Sequence, residues 1–260
     1  MGPPVLNAET LHPEGPRYTA SIVCVPGLWT AAAIWRPFAS FLAHRGWECH
    51  LVDVRQQPGG IDGRAMALAA YAADLAAPPI FLGHDAGAIV GLTAARRLPT
   101  AAVVAIAPLV PGSRAARRLA VGASRLLALI VGRPVAPPTG RPAEAWLDGP
   151  ATIRAALGAD DATVVRDVAW GRVRATPAGV PTLVVAGDRD AVLPRPSAEG
   201  FARTVAGELH MVDGAGHWPF LAPTWQETVG IVHRWLVQRL GAALLDLYEE
   251  AMAERDADDD

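Results

Sequence analysis

Phe81-Leu82-Gly83-His84-Asp85-Ala86-Gly87-Ala88-Ile89 decides how the chain folds. Pro79 to Leu82 is a short apolar run with the length of a buried strand. Ile89 to Leu98 has the apolar content and length of a helix. Only a tight turn joins them, and Gly83 and Gly87 flank Asp85 within it at two positions on either side. A turn this sharp crowds the backbone around its central residue, so positions two away on each side must carry small side chains. The helix that begins there points the positive end of its dipole at the turn. Asp85 therefore sits at the mouth of a strand–turn–helix junction. Taken alone, it could equally cap the helix, since Asp is a favoured N-cap residue.

Working outward, the same alternation recurs. Ala20 to Pro26 and Trp47 to Val54 read as strands, and Ile34 to His44 and Ile61 to Leu75 as helices. Ala101 to Ala107, Pro181 to Ala186 and Glu208 to Val212 read as further strands, and Thr224 to Arg239 as a long amphipathic helix. Strands alternating with helices predict an α/β fold with a mostly parallel sheet covered by helices on both faces. The alternation breaks once. Residues 109–179 carry Arg114, Arg117, Arg118 and Arg125 among Leu and Ala, then the proline-rich stretch Arg133 to Pro142. This is too long for an ordinary loop. It is expected to form a small helical cap over the edge of the sheet where open α/β sheets bind ligands. The expected organisation is a core of 20–108 and 180–240, the cap insert of 109–179, and a C-terminal helix end with an acidic, frayed tail over 241–260.

Composition removes several classes of function. At 260 residues, 51% hydrophobic and 19% charged, the chain is globular. A net charge of −3 gives no reason to expect nucleic acid or an anionic membrane surface as partner. All 23 basic residues are Arg, so lysine Schiff-base chemistry is excluded. Cys24 and Cys49 lie in apolar strand-like runs and read as buried thiols rather than zinc ligands. The most apolar long stretch, Leu119 to Gly132, is shorter than the roughly 20 residues of a membrane span and is interrupted by Arg125. The N-terminus lacks the apolar run of a secretory signal. A cytoplasmic location, no membrane partner and no cofactor are the expectations, the last because no metal cluster, P-loop or dinucleotide fingerprint is present.

Two further stretches complete the pattern. Val184-Val-Ala-Gly-Asp-Arg-Asp-Ala-Val-Leu-Pro194 ends a strand in a turn bearing Asp188 and Asp190. Val212-Asp-Gly-Ala-Gly-His-Trp-Pro-Phe220 follows the last strand and places His217 between glycine and an aromatic residue. Together with Gly83-His84-Asp85-Ala86-Gly87 these resemble the α/β-hydrolase superfamily in its chain order of nucleophile, acid and histidine. The resemblance spans about Ala20 to Leu240 and is weakest in the cap. It implies a catalytic triad of Asp85, Asp190 and His217, with Asp188 as the fallback acid. Val25-Pro26-Gly27-Leu28-Trp29 occupies the place of the superfamily's oxyanion loop, with Pro26 where a His is usual. The implied oxyanion donors are the backbone N–H groups of Leu28 and Ala86, and Trp29 is expected in the wall of an apolar substrate pocket.

Serine usually stands where this chain has Asp85. A carboxylate is ionised at neutral pH, with a reference pKa of about 3.9, and needs no base to attack. It attacks well at a saturated carbon bearing a leaving group, giving an alkyl-enzyme ester. Attack on an ordinary ester carbonyl would give a high-energy anhydride. The residue type therefore points to epoxide opening or carbon–halogen cleavage of a small apolar substrate, as in the epoxide hydrolases and dehalogenases that share an Asp elbow. Neither family's helpers are complete: Tyr18, Tyr71 and Tyr248 all lie outside the cap, and Ala86 stands where those dehalogenases carry Trp or Arg. Trp29, Trp146 and Trp170 are the candidate substitute donors. Two alternatives stay open, an esterase- or lyase-type enzyme with Asp85 as base and a non-catalytic ligand-binding scaffold.

Overall fold

The computed structural model describes residues 6–139, 146, 157–221 and 223–258, with side chains as far as residue 241. Its centre is a seven-stranded sheet in the order β1-β3-β2-β4-β5-β6-β7. The strands are β1 (Asn7–Leu11), β2 (Ile22–Val25), β3 (Cys49–Asp53), β4 (Ile80–His84), β5 (Ala102–Ile106), β6 (Thr182–Gly187) and β7 (Glu208–Val212). All pairings are parallel except β1 with β3. The α/β fold with a mostly parallel sheet is thus as the sequence predicts. β1 is the strand the sequence does not announce. It is an edge strand with no fully buried position, so it lacks the apolar run by which the inner strands are recognised.

Helices α1 (Arg36–His44), α2 (Gly60–Ala72) and α3 (Ala86–Ala95) connect the first strands, and a short 3₁₀ turn at Ala32–Trp35 leads into α1. Side chains along each inner strand alternate between two cores. Val23, Val25, Val52, Phe81, Val103 and Val184 face α2 and α3. Ile22, Cys24, Leu51, Leu82, Val104 and Val185 face α1 and the C-terminal helix. Burial on both faces is why these strands read as continuous apolar runs.

The insert between β5 and β6 carries α4 (Arg114–Arg118), α5 (Ala123–Val131) and α6 (Ala162–Ala169). α6 packs against α2, α4 and α5. The expected cap also covers 140–145 and 147–156, which lie outside the described residues. α7 (Arg195–Thr204), which the sequence reading does not single out, joins β6 to β7. α8 then runs from Trp225 to Asp258, well past the expected end at Arg239. The residues beyond Arg239 are rich in Ala, Leu and Glu, all strong helix formers, so the helix continues into the acidic segment expected to fray.

The topology fixes where a site can form. From β2 the chain crosses to β3 on one side, returns to β4 on the other, and then builds outward through β5, β6 and β7. The direction of winding reverses between β2 and β4. Loops leaving the carboxyl ends of two such strands diverge and leave a crevice. The loop after β2 is Pro26–Thr30, and the turn after β4 holds Asp85.

Candidate active site

Asp85 lies between β4 and α3 with φ 53° and ψ −123°, a positive-φ conformation that costs a non-glycine residue on the order of 1–3 kcal/mol. The flanking residues show what holds it there. A Cβ on Gly83 would lie 2.4 Å from the Gly87 carbonyl oxygen, and one on Gly87 would lie 2.4 Å from that of Pro26. Neither glycine can be replaced without moving backbone. Asp85 occupies the N-cap position of α3, yet its side chain makes no capping bond to that helix. The carboxylate is turned toward the crevice instead.

There, Asp85 Oδ2 accepts the backbone N–H of Leu28 at 3.0 Å. One of the two donors expected to form an oxyanion hole, Leu28, therefore binds the carboxylate of Asp85 itself. Asp85 Oδ1 accepts no hydrogen bond among the described residues and lies 4.0 Å from His217 Nε2, beyond direct hydrogen-bonding distance. Burial pushes the Asp85 carboxyl up to about 6, against the lowering pull of the His217 charge and the Leu28 N–H.

His217 Nδ1 bonds Asp190 Oδ2 at 2.9 Å. Asp190 Oδ1 in turn accepts the backbone N–H groups of Val192 and Leu193 at 2.7 and 2.9 Å. Burial pushes the Asp190 carboxyl up, but the His217 charge and these hydrogen bonds outweigh it and hold it below its usual value. Asp188, the fallback acid, is exposed, whereas Asp190 is buried. Asp85, Asp190 and His217, which come from three separate loops, thus meet at one edge of the sheet.

Three buried side chains complete the surroundings, and sequence reasoning assigned none of them a role. His84 Nε2 donates to the His217 carbonyl oxygen at 2.9 Å; burial, then the nearby His217 charge, hold His84 far below its usual value and so neutral. Its place in the elbow hid it, because the motif permits any residue there. Arg64 and Asp160 form a buried ion pair between α2 and the insert. Asp160 Oδ2 also accepts the Trp29 backbone N–H at 2.8 Å. The neighbouring Asp161 caps α6, accepting the N–H groups of Thr163 and Val164.

Trp29 is held on every side by the insert. Its carbonyl accepts the Gly158 N–H at 2.9 Å, its Nε1 donates to the Val135 carbonyl at 3.0 Å, and its ring meets Trp146 edge-on at 5.9 Å. It also has a positive φ of 64°. Leu28 and Trp29, expected in a pocket wall above Asp85, stand apart from the cavity nearest the site. Both are buried, and neither lines the cavity of about 470 Å³ beside the site. That cavity is bounded by Leu119, Val121, Arg118, Arg125, Trp146 and Val192, among others. Trp29 is too deeply engaged with the insert to reach it; Trp146 stands between. The Trp146 ring also lies 5.2 Å from that of His217, so one aromatic residue separates cavity from histidine.

The candidate donors sort accordingly. Trp29 Nε1 is already committed to Val135. Trp170 is 42% exposed and lies under Arg172. Trp146 is the one of the three beside His217. Tyr18 stacks on Trp47 and Tyr71 bonds His50, both away from Asp85, and the Tyr248 side chain lies outside those described. Among the described residues no group of His, Cys, Asp or Glu is placed to hold a metal ion, and no helix is long and apolar enough to cross a membrane.

Comparison with solved structures returns the same architecture. A thermophilic esterase from Thermogutta terrifontis matches at 20% identity over 90% of this chain and 93% of its own, with a TM-score of 0.67. A monoacylglycerol lipase from Paleococcus ferrophilus matches at 17% identity, 90% and 99% coverage and a TM-score of 0.68. A monoglyceride lipase from Saccharomyces cerevisiae matches at 14% identity, 90% and 92% coverage and a TM-score of 0.65. At these identities the likeness is one of fold. No curated protein matches the sequence. The sequence model of the alpha/beta hydrolase family covers residues 22–228, from the first strand of the parallel sheet to the start of the C-terminal helix. With Asp85, Asp190 and His217 meeting on the loops of that sheet, the chain belongs to the alpha/beta hydrolase family.

Proposed function

We propose that the protein is a hydrolase that attacks a saturated carbon through Asp85, with an epoxide or a carbon–halogen compound as substrate. The observation that carries this reading is the state of the Leu28 N–H, one of the two expected oxyanion donors. In acyl transfer those N–H groups must be open to a substrate carbonyl oxygen. Here Asp85 itself occupies the Leu28 donor through Oδ2, while Oδ1 is left without a hydrogen bond among the described residues. That division suits an alkyl-enzyme ester, in which Oδ1 becomes the ester oxygen and Oδ2 the carbonyl oxygen.

The chemistry runs in two steps. Oδ1 forms a bond to the substrate carbon as the carbon–halogen or carbon–oxygen bond breaks, and the electron pair departs with the leaving group. His217 then takes a proton from water, and the hydroxide adds to the Asp85 carboxyl carbon. Negative charge develops on Oδ2, already seated against the N–H of Leu28. Collapse of that intermediate expels the alkoxide, which takes the proton from His217 and leaves as the alcohol. The second proton of the water stays on the Asp85 carboxyl and passes to solvent, or to the oxyanion of an opened epoxide, to restore the carboxylate. Asp190 orients the imidazole and balances its transient charge. In this reading the 109–179 insert is the cap, and the cavity beneath α4 and α5 receives an apolar substrate.

The test is a panel of epoxides, haloalkanes, haloacids and activated esters with the wild type and His217→Gln. Since His217 is needed only for the second step, the variant should accumulate an alkyl adduct on the peptide carrying Asp85, read by mass spectrometry. Asp85→Ala should form none and lose turnover. Turnover of activated esters alone, with no adduct in His217→Gln, would turn the assignment to Asp85 as a base.

A further inference from the structure

α5 is amphipathic in the wrong direction. In a helix that packs on a core, the apolar stripe faces inward. In α5 only Leu129 is fully buried. Leu126, Leu127, Ile130 and Val131 fall at spacings of one, four and five residues, hence on one face, and each is 44% or more exposed. Val121, just before the helix, is 69% exposed. These five account for most of the large exposed apolar side chains described in the molecule; the others are Met66 and Trp170. A contiguous apolar face of this kind marks an interaction site.

Its surroundings identify the partner. Residues 109–139 contain five Arg (114, 117, 118, 125 and 133) and no Asp or Glu, a local charge of +5 in a chain whose net charge is −3. Arg114, Arg117, Arg118 and Arg133 are exposed, so the apolar stripe has a basic border. Arg125 is turned inward, with its guanidinium on the carbonyls of Leu119 and Ala136. An apolar helix face bordered by arginines is the composition that lies in the surface of an anionic bilayer. The whole-chain charge, from which no membrane partner is expected, averages this segregation away.

We infer that the α4–α5 face seats the protein on an anionic lipid surface, with the helix axis in the plane of the interface. The cavity beside the site opens on this side: Arg118, Val121, Gly122 and Arg125 are in its wall, with Trp146 and Val192 toward His217 and Asp190. An apolar compound dissolved in the lipid would thus enter at the seated face. The seating does not depend on what Asp85 does chemically, and its test involves no turnover.

The probes are vesicles of phosphatidylcholine alone and of phosphatidylcholine mixed with phosphatidylglycerol, in a sedimentation assay at low and high salt. The full chain should pellet with the mixed vesicles, more weakly with the neutral ones, and less as salt rises. Arg114→Gln with Arg117→Gln should cut partition into the mixed vesicles by about fivefold per arginine. Leu127→Asp with Ile130→Asp should reduce it to background while leaving circular dichroism and the melting temperature unchanged, since both side chains are exposed. Failure of the wild type to pellet with the mixed vesicles overturns the inference. So does a dimer, seen by light scattering, that Leu127→Asp with Ile130→Asp dissociates, because the face would then belong to a second copy of the chain.

Discussion

A carboxylate buried beside an imidazole is costly, and Asp85 carries that cost in its acidity. Its folded value of about 6 stands above the ordinary 3.8, so the folded state binds this proton more tightly than the unfolded chain does. That contribution to stability is fully present below pH 3.8 and is lost as pH rises through 6. Asp85→Asn keeps the neutral form at every pH. It should be more stable than the wild type at pH 8 by on the order of 2–3 kcal/mol, with the difference vanishing toward pH 4. Urea unfolding at the two pH values measures it; a variant less stable at pH 8 would mean that burial is not what raises this carboxyl. The same ionisation sets the first chemical step. In the proposed mechanism the attacking form is the carboxylate, and His217→Gln also removes the charge that pulls this carboxyl down, so the rate of adduct formation in that variant should fall by about tenfold or more between pH 7 and pH 5. At this scale the sequence was informative wherever chain order and neighbouring glycines constrain a residue, as at Asp85, Asp190 and His217. It was silent on His84, Arg64 and Asp160, because each acts through a partner remote in sequence: His84 and His217 are 133 positions apart, and Arg64 and Asp160 are 96.

Among the elements, the loop after β2 is the one that the insert controls. Asp160 accepts the Trp29 N–H and is itself paired with Arg64, while Leu28, the preceding residue, donates to Asp85. The buried ion pair therefore positions the N–H that seats the carboxylate. Asp160→Ala should cost about 3–5 kcal/mol, because it strands the Arg64 charge, and it also removes the acceptor for Trp29. Asp160→Asn still strands that charge but keeps an oxygen for the Trp29 N–H. Adduct formation in the His217→Gln background should therefore fall tenfold or more with Ala and only a fewfold with Asn. Equal losses in the two would show that the pair serves stability alone. The inner strands and helices were legible in sequence because both sheet faces are buried and the apolar runs are continuous. β1 was not, since an edge strand whose residues stay partly exposed has no such signature.

Across the whole molecule, the parallel sheet is what brings loops from β2, β4, β6 and β7 to one edge, and its centre should open only with global unfolding. Cys24 and Cys49 are free thiols buried on β2 and β3. Burial pushes both upward, Cys49 to about 12 and Cys24 well above its usual value. Neither should react with a thiol reagent in the native state, and both should react together as urea unfolds the chain. Early labelling of one alone would reveal an opening of the β2–β3 edge separate from the rest. The fold and the meeting of Asp85, Asp190 and His217 were both readable from residue order because they are properties of chain topology. The cavity and the apolar face of α5 were not, since exposure is decided by how the insert packs.

The central claim is that Asp85 bonds to substrate carbon and is then freed by water. The most direct measurement is a single turnover of the wild-type enzyme in ¹⁸O-labelled water, followed by mass spectrometry of the peptide containing Asp85. Water attacking the ester carbonyl leaves its oxygen on the enzyme, so label should appear in the Asp85 carboxylate and not in the first product released. Label in that product, with an unlabelled Asp85, would mean that water attacked the substrate directly and that Asp85 is not the nucleophile.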